Sequence, residues 1–219
     1  NSLPDFSPRP EAHSIVMEAK RRLLRPLADP AIAAEFLAAY DRVVCNVVAP
    51  HIQEALSSDR PLQSLHYAAF PTLRVQTPSH DKATIRPHVD GMYGLQHDSV
   101  NFWLPLTSVC AASALWTESG PPGIGGDRDE YHPLTRPTRF DGRNRVHFTV
   151  PNTSNRTRVS LDFRVVPGDV FDASARLSRM GYYSRAELVV DGDGVEWRKV
   201  ESGVVTKLHG LPHERAAVE

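Results

Sequence analysis

Residues 147–164 read HFTVPNTSNRTRVSLDFR and contain two alternating runs separated by a Pro-Asn segment. The first run places His147 on the face opposite its apolar neighbours Val146 and Phe148. The second run places four polar side chains on one face, namely Arg158, Ser160, Asp162 and Arg164. Alternation with a period of two predicts β-strands. The eleven residues from His147 to Arg158 allow a turn and a return strand, so we expect the two strands to lie side by side.

Further short runs with turn residues between them follow Pro61. They predict strands at 73–76, 84–90, 99–107 and 113–118. Several short strands of this kind are typical of an all-β sandwich or jelly-roll barrel. Pro87 would place its strand at an edge or a bulge, because proline cannot donate to a ladder.

The remainder of the chain is predicted to frame this β region. Apolar residues at helical spacing predict helices over 11–27 and 31–48, with Asp29 as an N-cap and Pro50 as a break. We expect one domain over 1–219, with a helical layer at 11–57, a β core at 64–167 and a C-terminal extension at 168–219. Within the extension, Asp-Gly-Asp-Gly at 191–194 predicts a hairpin. Polar residues 119–137 predict a long loop, and its Tyr131 and His132 are candidates for a substrate lid or for a solvated loop.

Composition narrows the class of protein. With 219 residues, 41% of them hydrophobic, the chain can bury a substantial core. A formal net charge of −1 gives no reason to expect nucleic acid or an anionic membrane as a partner. No apolar run has the length of a membrane span, so a cytoplasmic protein is expected. Cys45 and Cys110 predict two reduced, buried thiols, with a single disulfide as the alternative.

His88 and Asp90 predict most of a metal site. In extended backbone they share a face, which brings an imidazole and a carboxylate together. His147 is the candidate second imidazole, because a polar side chain facing the interior is costly unless it is paired or bound to metal. An internally satisfied histidine is an equally good interpretation. His97 is a rival ligand, a supporting group or a surface residue.

Arg158 and Ser160 predict a carboxylate-binding pair. A guanidinium binds carboxylates through two parallel hydrogen bonds and stays charged. Arg164 shares the face and is the alternative anchor. Asn101 is a candidate contact for a cosubstrate or substrate, or a group that hydrogen-bonds within its strand. The competing interpretation of the whole polar face is a solvated Arg–Asp ladder.

The ordered set of His88-x-Asp90, His147 and Arg158-x-Ser160 resembles the non-haem Fe(II)- and 2-oxoglutarate-dependent dioxygenases. The stretches NFWLPLT at 101–107 and HFTVPNTSNRTRVSLDFR at 147–164 are similar to small bacterial hydroxylases of antibiotic biosynthesis, of the streptomycin-biosynthesis hydroxylase type. The resemblance spans residues 70–167 and implies a double-stranded β-helix core, which is a jelly-roll, cupin-like fold. The ordered set is specific, whereas a His-x-Asp pair alone is common by chance.

The resemblance also implies roles for individual residues. His88, Asp90 and His147 would be the catalytic and metal-binding triad, with 2-oxoglutarate and O₂ at the open positions of Fe(II). The 2-oxoglutarate carboxylate would be held by Arg158 and Ser160, with Asn101 and Arg164 as further cofactor-binding candidates. Related halogenases lack the carboxylate ligand, so the intact aspartate favours hydroxylation or another oxidative outcome over halogenation.

The expected substrate is a small polar biosynthetic intermediate. It would be a sugar, a cyclitol, an aminoglycoside-like compound or an amino-acid derivative, and ring closure or desaturation are alternative outcomes of the reaction. The alternative function is a cupin-like metal- or sugar-binding module without oxygenase activity. Arg158 and Ser160 discriminate between the two, since a plain binding module does not need a cosubstrate anchor.

Overall fold

The computed structural model describes residues 10–56, 62–119, 131–192 and 194–201, with side chains of the first helix from Met17 onward. The fold is mainly β with helices at the N-terminal side, and its strand pairings are antiparallel. The chain forms two compact units, residues 1–23 with 71–163, and residues 24–70 with 164–219. The expectation of one domain stays a prediction.

The first unit contains one helix and two antiparallel sheets. Its elements are α1 (Pro10–Leu24), β2 (Thr72–Gln76), β3 (Val100–Pro105), β4 (Leu115–Glu118), β5 (Tyr131–Leu134), β6 (Thr138–Phe140), β7 (His147–Thr149) and β8 (Arg158–Pro167). In one sheet, β2 pairs with the first part of β8, β8 neighbours β3, and β3 pairs with β6. The other sheet has the order β5-β4-β7.

The two sheets of the first unit share an apolar core. Trp103 and Phe140 from one sheet pack with Leu115 and Leu134 from the other, and all four are buried. Burying apolar side chains is the main favourable contribution to the free energy of folding. The predicted strands at 73–76, 99–107 and 113–118, and both strands of the opening stretch, are confirmed with ends that differ by a few residues. The prediction that the two strands of the opening stretch lie side by side is wrong, because β7 and β8 belong to different sheets and the chain crosses from one sheet to the other between them.

The strand predicted around Pro87 is wrong, because this segment pairs with β7 at isolated points. Thr149 donates its backbone N–H to the Ile85 carbonyl at 3.1 Å, and His147 donates to the His88 carbonyl at 3.0 Å. Between these two hydrogen bonds, the segment from Ile85 to His88 therefore contains one residue more than the stretch of β7 from His147 to Thr149. Such an extra residue is a β-bulge, and Pro87 fits there since it has no N–H to pair.

The predicted loop at 119–137 also needs correction. Its last part forms β5, which includes both lid candidates, Tyr131 and His132. Short edge strands of this kind carry too few residues for alternation to be recognised, and proline at position 133 obscures the pattern. Residues 120–130 of the predicted loop lie outside the described residues.

The second unit combines helices with an antiparallel sheet. Its elements are a 3₁₀ turn (Arg25–Ala28), α2 (Pro30–Val43), a π-helical turn (Val44–Val48), α3 (Ala49–Leu56), β1 (Ser64–Ala68), residues 164–167 of β8, α4 (Arg176–Arg179), β9 (Tyr183–Asp191) and β10 (Gly194–Lys199). The order of the strands in the sheet is β10-β9-β1-β8. Asp29 caps α2, because its carboxylate accepts the backbone N–H of Ala31 at 2.8 Å. The predicted hairpin around Gly192 is confirmed, with φ of +59° at that glycine.

The break predicted at Pro50 is wrong. Pro50 is the second residue of α3, directly after the π-helical turn Val44–Val48. The first residues of a helix tolerate proline because their N–H groups lack intrahelical partners, and the wider π turn relieves the clash with the preceding turn.

Two further expectations concern cysteines and membranes. Both cysteines are free thiols; Cys45 is buried as expected, whereas Cys110 is exposed, so its predicted burial is wrong. None of the described helices has the length and apolar character that a membrane span requires.

Candidate metal centre

Three side chains of the first unit converge on one point. His88, Asp90 and His147 each offer a ligand atom, and these atoms lie within 4.8 Å of one another. The Nε2 atoms of His88 and His147 lie 3.5 and 3.8 Å from Asp90 Oδ1. Asp90 is 1% exposed and His147 is 4% exposed. Within the described residues this is the only group of three or more side chains placed so that they could hold a metal ion.

Backbone pairing places the three residues. His88 and His147 are direct cross-strand neighbours joined by two backbone hydrogen bonds of 3.2 and 3.0 Å, and their ring centroids are 4.2 Å apart. After His88 the chain turns into a 3₁₀ helix, Asp90–Tyr93, and the Asp90 N–H donates to the Gly142 carbonyl at 2.8 Å. The carboxylate is thereby held beside both imidazoles.

Each imidazole is oriented from behind by a backbone carbonyl. His88 Nδ1 donates to the Arg86 carbonyl at 2.8 Å, and His147 Nδ1 donates to the Arg145 carbonyl at 3.1 Å. Because a carbonyl oxygen only accepts, Nδ1 carries a proton in both rings, and Nε2 is the nitrogen of each ring that faces Asp90. This second hydrogen bond is the usual support of a metal-binding histidine.

The protonation state of His147 also suits a metal ligand. Burial lowers the pKa of the His147 imidazole, and although Asp90 opposes this effect, the net direction is downward. A lowered pKa favours neutral imidazole, which is the form that binds metal ions.

Asn101 holds the other oxygen of the Asp90 carboxylate. Its Nδ2 donates to Asp90 Oδ2 at 2.6 Å, which leaves Oδ1 facing the imidazoles. Gly142 permits this arrangement, because a Cβ there would lie 2.7 Å from Asn101 Cγ and Nδ2. The predicted contact of Asn101 with a cosubstrate or substrate stays a prediction.

Arg158 is a buried cation with neutral partners. Arg158 is only 1% exposed. Its guanidinium donates hydrogen bonds to the Ser113 carbonyl at 3.1 Å, to Ser160 Oγ at 2.8 Å and to Gln76 Oε1 at 3.0 Å. The guanidinium carbon lies 5.8 Å from the centroid of the Trp103 ring. A buried charge is stable only when it is compensated, so this position favours an anionic ligand.

The charges around Arg158 reinforce that conclusion. Burial, followed by the nearby Arg74, lowers the pKa of the Arg158 guanidinium to about 10, while Asp162 raises it. Arg158 therefore remains positively charged at neutral pH. Asp162 forms its salt bridge with Arg74 at 3.2 Å. Because this polar face of β8 is buried, the solvated-ladder interpretation does not describe it.

The two arginines proposed as anchors are assigned to different compact units. Arg158 and Ser160 belong to the unit that contains the triad, whereas Arg164 belongs to the second unit. Arg164 donates to the Tyr182 hydroxyl at 3.3 Å. His97 is exposed and is not part of the metal-binding group.

Sequence reasoning missed two contributors to the site. Ser113 contacts Arg158 through its backbone carbonyl, so its side-chain type carries no signal. Gly142 contributes by lacking a Cβ, which leaves room for the Asn101 side chain. A single glycine in a polar turn does not indicate which side chain packs against it.

No protein-family model matches the chain. The streptomycin biosynthesis protein StrG of Streptomyces griseus is 30% identical over 117 residues, which are 53% of this chain and 54% of StrG. The chain thus spans about half the length of this curated relative.

Two solved structures are similar at low identity. The non-heme monooxygenase ThoJ, in its nickel complex, gives a TM-score of 0.42 at 17% identity over 54% of this chain and 50% of ThoJ. The non-heme alpha-ketoglutarate-dependent epimerase SnoN from nogalamycin biosynthesis gives 0.37 at 14% identity over 60% and 56% of the two chains.

Proposed function

We propose that this protein is a non-haem Fe(II)- and 2-oxoglutarate-dependent dioxygenase that hydroxylates a small polar intermediate of antibiotic biosynthesis. The observation that carries the proposal is a buried triad, with both imidazole Nε2 atoms facing a carboxylate, in the same compact unit as the buried guanidinium of Arg158. Ring closure and desaturation are alternative outcomes of the same chemistry.

The donor set of the triad fits Fe(II). Two imidazoles and one carboxylate that leave open positions are the ligand set of non-haem Fe(II) oxygenases. His88, Asp90 and His147 would hold the metal through their Nε2 and Oδ1 atoms. Bound Fe(II) would supply the activation of O₂ and couple substrate oxidation to the decarboxylation of 2-oxoglutarate.

Arg158 is the proposed anchor for the distal carboxylate of 2-oxoglutarate. Its charge would compensate the carboxylate in a buried setting, where charge-assisted hydrogen bonds are strong. The Ser160 hydroxyl would add a hydrogen bond, while Gln76 and the Ser113 carbonyl keep the guanidinium plane in place. Arg164 is the less favoured anchor.

The strand arrangement supports a double-stranded β-helix. The order β2-β8-β3-β6 in one sheet, packed on the three strands β5-β4-β7 with the bulged His88 segment beside β7, supports two packed layers of the jelly-roll type. StrG, whose name assigns it to streptomycin biosynthesis, supports a role in making a related compound. A substrate of the sugar, cyclitol, aminoglycoside-like or amino-acid class follows from that resemblance.

The alternative is a cupin-like metal- or sugar-binding module without oxygenase activity. Such a module could use the triad, but it would have no use for a buried cation with neutral partners. Arg158 therefore favours the oxygenase.

The proposal is tested by adding Fe(II) and 2-oxoglutarate under anaerobic conditions and recording the visible charge-transfer band. We expect the band in the wild type and its loss in His147→Ala. Arg158→Lys keeps the positive charge but loses the two parallel N–H donors of the guanidinium. It should raise the half-saturating 2-oxoglutarate concentration by about 10- to 100-fold, in line with the strength of charge-assisted hydrogen bonds.

Arg164→Lys is the matched control and should leave that concentration within about twofold. Circular dichroism establishes that each variant is folded. A wild type that shows no band and forms no succinate under air would exclude the oxygenase, and a larger effect of Arg164→Lys would transfer the anchor role to Arg164.

A further inference from the structure

Thr117 and His132 lie in one row with the ligand His147. Thr117 of β4 is the direct cross-strand partner of His147 in β7 and of His132 in β5. Residues directly opposite in antiparallel strands point to the same face of the sheet. The three side chains therefore share the face that carries the metal-binding imidazole.

This face points into the first unit. Leu115 and Leu134 lie two positions from Thr117 and His132, so they share the face, and both pack into the apolar core with Trp103. The inward face of this sheet therefore changes from the apolar pair Leu115 and Leu134 to the polar pair Thr117 and His132 at the level of His147.

Thr117 carries a hydroxyl without a visible role in the fold. The residue is 2% exposed, and its Oγ1 has no hydrogen-bond partner among the described residues. Buried hydroxyls are nearly always paired, which makes an unpaired one beside a metal-binding residue a candidate contact for a ligand. His132, by contrast, is exposed on edge strand β5.

The row has the dimensions of a small ring. Neighbouring strands are about 4.8 Å apart, so His132 lies about 10 Å from His147 along the row. A six-membered ring with its substituents spans this distance when one of its carbons lies at the metal. Thr117 and His132 would then meet substituents on successive positions of the ring.

The chemistry of the row is neutral hydrogen bonding. Among the described residues of β4 and β5, the inward side chains are Leu115, Thr117, His132 and Leu134, without a carboxylate, lysine or arginine. Hydroxyls both donate and accept, as do the threonine hydroxyl and the imidazole. A substrate carboxylate would instead call for a cation.

We propose that Thr117 and His132 form a substrate subsite that hydrogen-bonds the hydroxyl groups of a polyol ring. The proposal rests on the proposed function and narrows its substrate class to sugars and cyclitols, away from amino-acid derivatives.

The experiment uses protein loaded with Mn(II) and 2-oxoglutarate without O₂, so that no turnover occurs. The probes are myo-inositol, methyl α-glucoside and L-proline, and the readout is the paramagnetic relaxation of their protons by NMR. We expect the wild type to relax at least one polyol more strongly than proline. Thr117→Val should weaken the apparent affinity for that polyol by about 3- to 10-fold, as expected for one lost hydrogen bond.

Controls separate the subsite from the metal site. Thr117→Ser keeps the hydroxyl and should bind the polyol as the wild type does, and so should Thr135→Val at an exposed threonine just beyond β5. His132→Ala should weaken polyol binding in the same direction as Thr117→Val. The affinity for Mn(II), measured by calorimetry, should be unchanged in all four variants.

Wild-type protein that fails to bind Mn(II) would overturn the proposed function and the subsite together. If Mn(II) binds but Thr117→Val leaves polyol affinity unchanged, the subsite is overturned alone. Loaded wild type that relaxes proline instead of the polyols, or relaxes none of the three probes, overturns the assigned ligand class.

Discussion

Asp90 directs its two oxygens to different partners. Oδ1 faces both imidazoles, while Oδ2 accepts the Asn101 amide at 2.6 Å. An unsupported carboxylate rotates freely about its last bond, so the Asn101 contact selects the orientation in which one oxygen points at the centre of the triad. Asn101 would act on a bound metal through Asp90 and is therefore proposed as a positioning residue.

Replacing Asn101 should weaken metal binding without removing a ligand. We expect Asn101→Ala to lower the affinity for Co(II) by about 10- to 100-fold, the usual effect of removing a hydrogen bond behind a metal ligand. Isothermal calorimetry measures the affinity, and circular dichroism establishes that the variant is folded.

Gly142→Ala tests the same contact from the opposite side. Its Cβ would come within 2.7 Å of the Asn101 amide and displace it, so Co(II) affinity should fall while Asn101 is still present. Unchanged affinity in both variants would show that Asp90 needs no support from Asn101.

At the scale of elements, the connection between β7 and β8 decides how the triad and the anchor are related. Asn152 is fully buried in this connection. Its Nδ2 donates to the backbone carbonyls of Gln76 and Arg156 at 3.2 and 2.8 Å, and its Oδ1 accepts the Ser154 hydroxyl at 2.6 Å. One amide thus ties the end of β2 to the turn that leads from His147 to Arg158.

Removing this amide should destabilise the fold strongly. Asn152→Ala removes the buried hydrogen bond to the Gln76 carbonyl and the shorter of the two hydrogen bonds that the Arg156 carbonyl accepts, so we expect a loss of about 1–3 kcal/mol in the free energy of unfolding. Urea denaturation measures the loss. The neighbouring Asn155 is exposed, so Asn155→Ala should change stability by less than about 0.5 kcal/mol. Similar losses in the two variants would contradict the role given to Asn152.

Prediction of the elements from the sequence succeeded where the pattern is long and local. The alternation in β8 and the Asp-Gly signal of the β9–β10 hairpin were sufficient, because both depend on neighbouring residues. The prediction failed at Pro50, because a π-helical turn before it lets the helical backbone accommodate the proline. It also failed at β5, where four residues are too few to establish a period. Pro87 gave a correct indication of a bulge within a segment wrongly predicted as a strand.

At the scale of the whole molecule, stability should depend on pH through a histidine in the second unit. His66 of β1 stacks on Phe171 with ring centroids 3.5 Å apart. Burial, with a smaller contribution from Arg185, lowers the pKa of His66 to about 4. The unfolded chain has the ordinary value of about 6.5, so it binds the proton more readily than the folded state. The stabilisation linked to His66 is therefore complete above pH 6.5 and is lost as the pH falls to 4.

His66→Phe keeps an aromatic ring against Phe171 but removes the titration. Between pH 7 and pH 4 the wild type should lose about 1–2 kcal/mol more than the variant in the free energy of unfolding, after allowance for the half-exposed position of His66. Urea denaturation at several pH values measures the difference. Stability curves that stay parallel across this range would exclude His66 as a source of the pH dependence.

The sequence by itself determined the mainly β class, the N-terminal helices and most strand positions, because periodicity and turn chemistry are local properties of the chain. It also named the three residues that converge, His88 and Asp90 through their spacing and His147 through the resemblance of the ordered set to a known family. The tertiary structure alone decided how those side chains are supported. Arg158 and Gln76 meet across 82 positions of sequence, and Asn101 reaches Asp90 only because Gly142 leaves room. Such contacts depend on which strands become neighbours, and that information is absent from any short stretch of the chain.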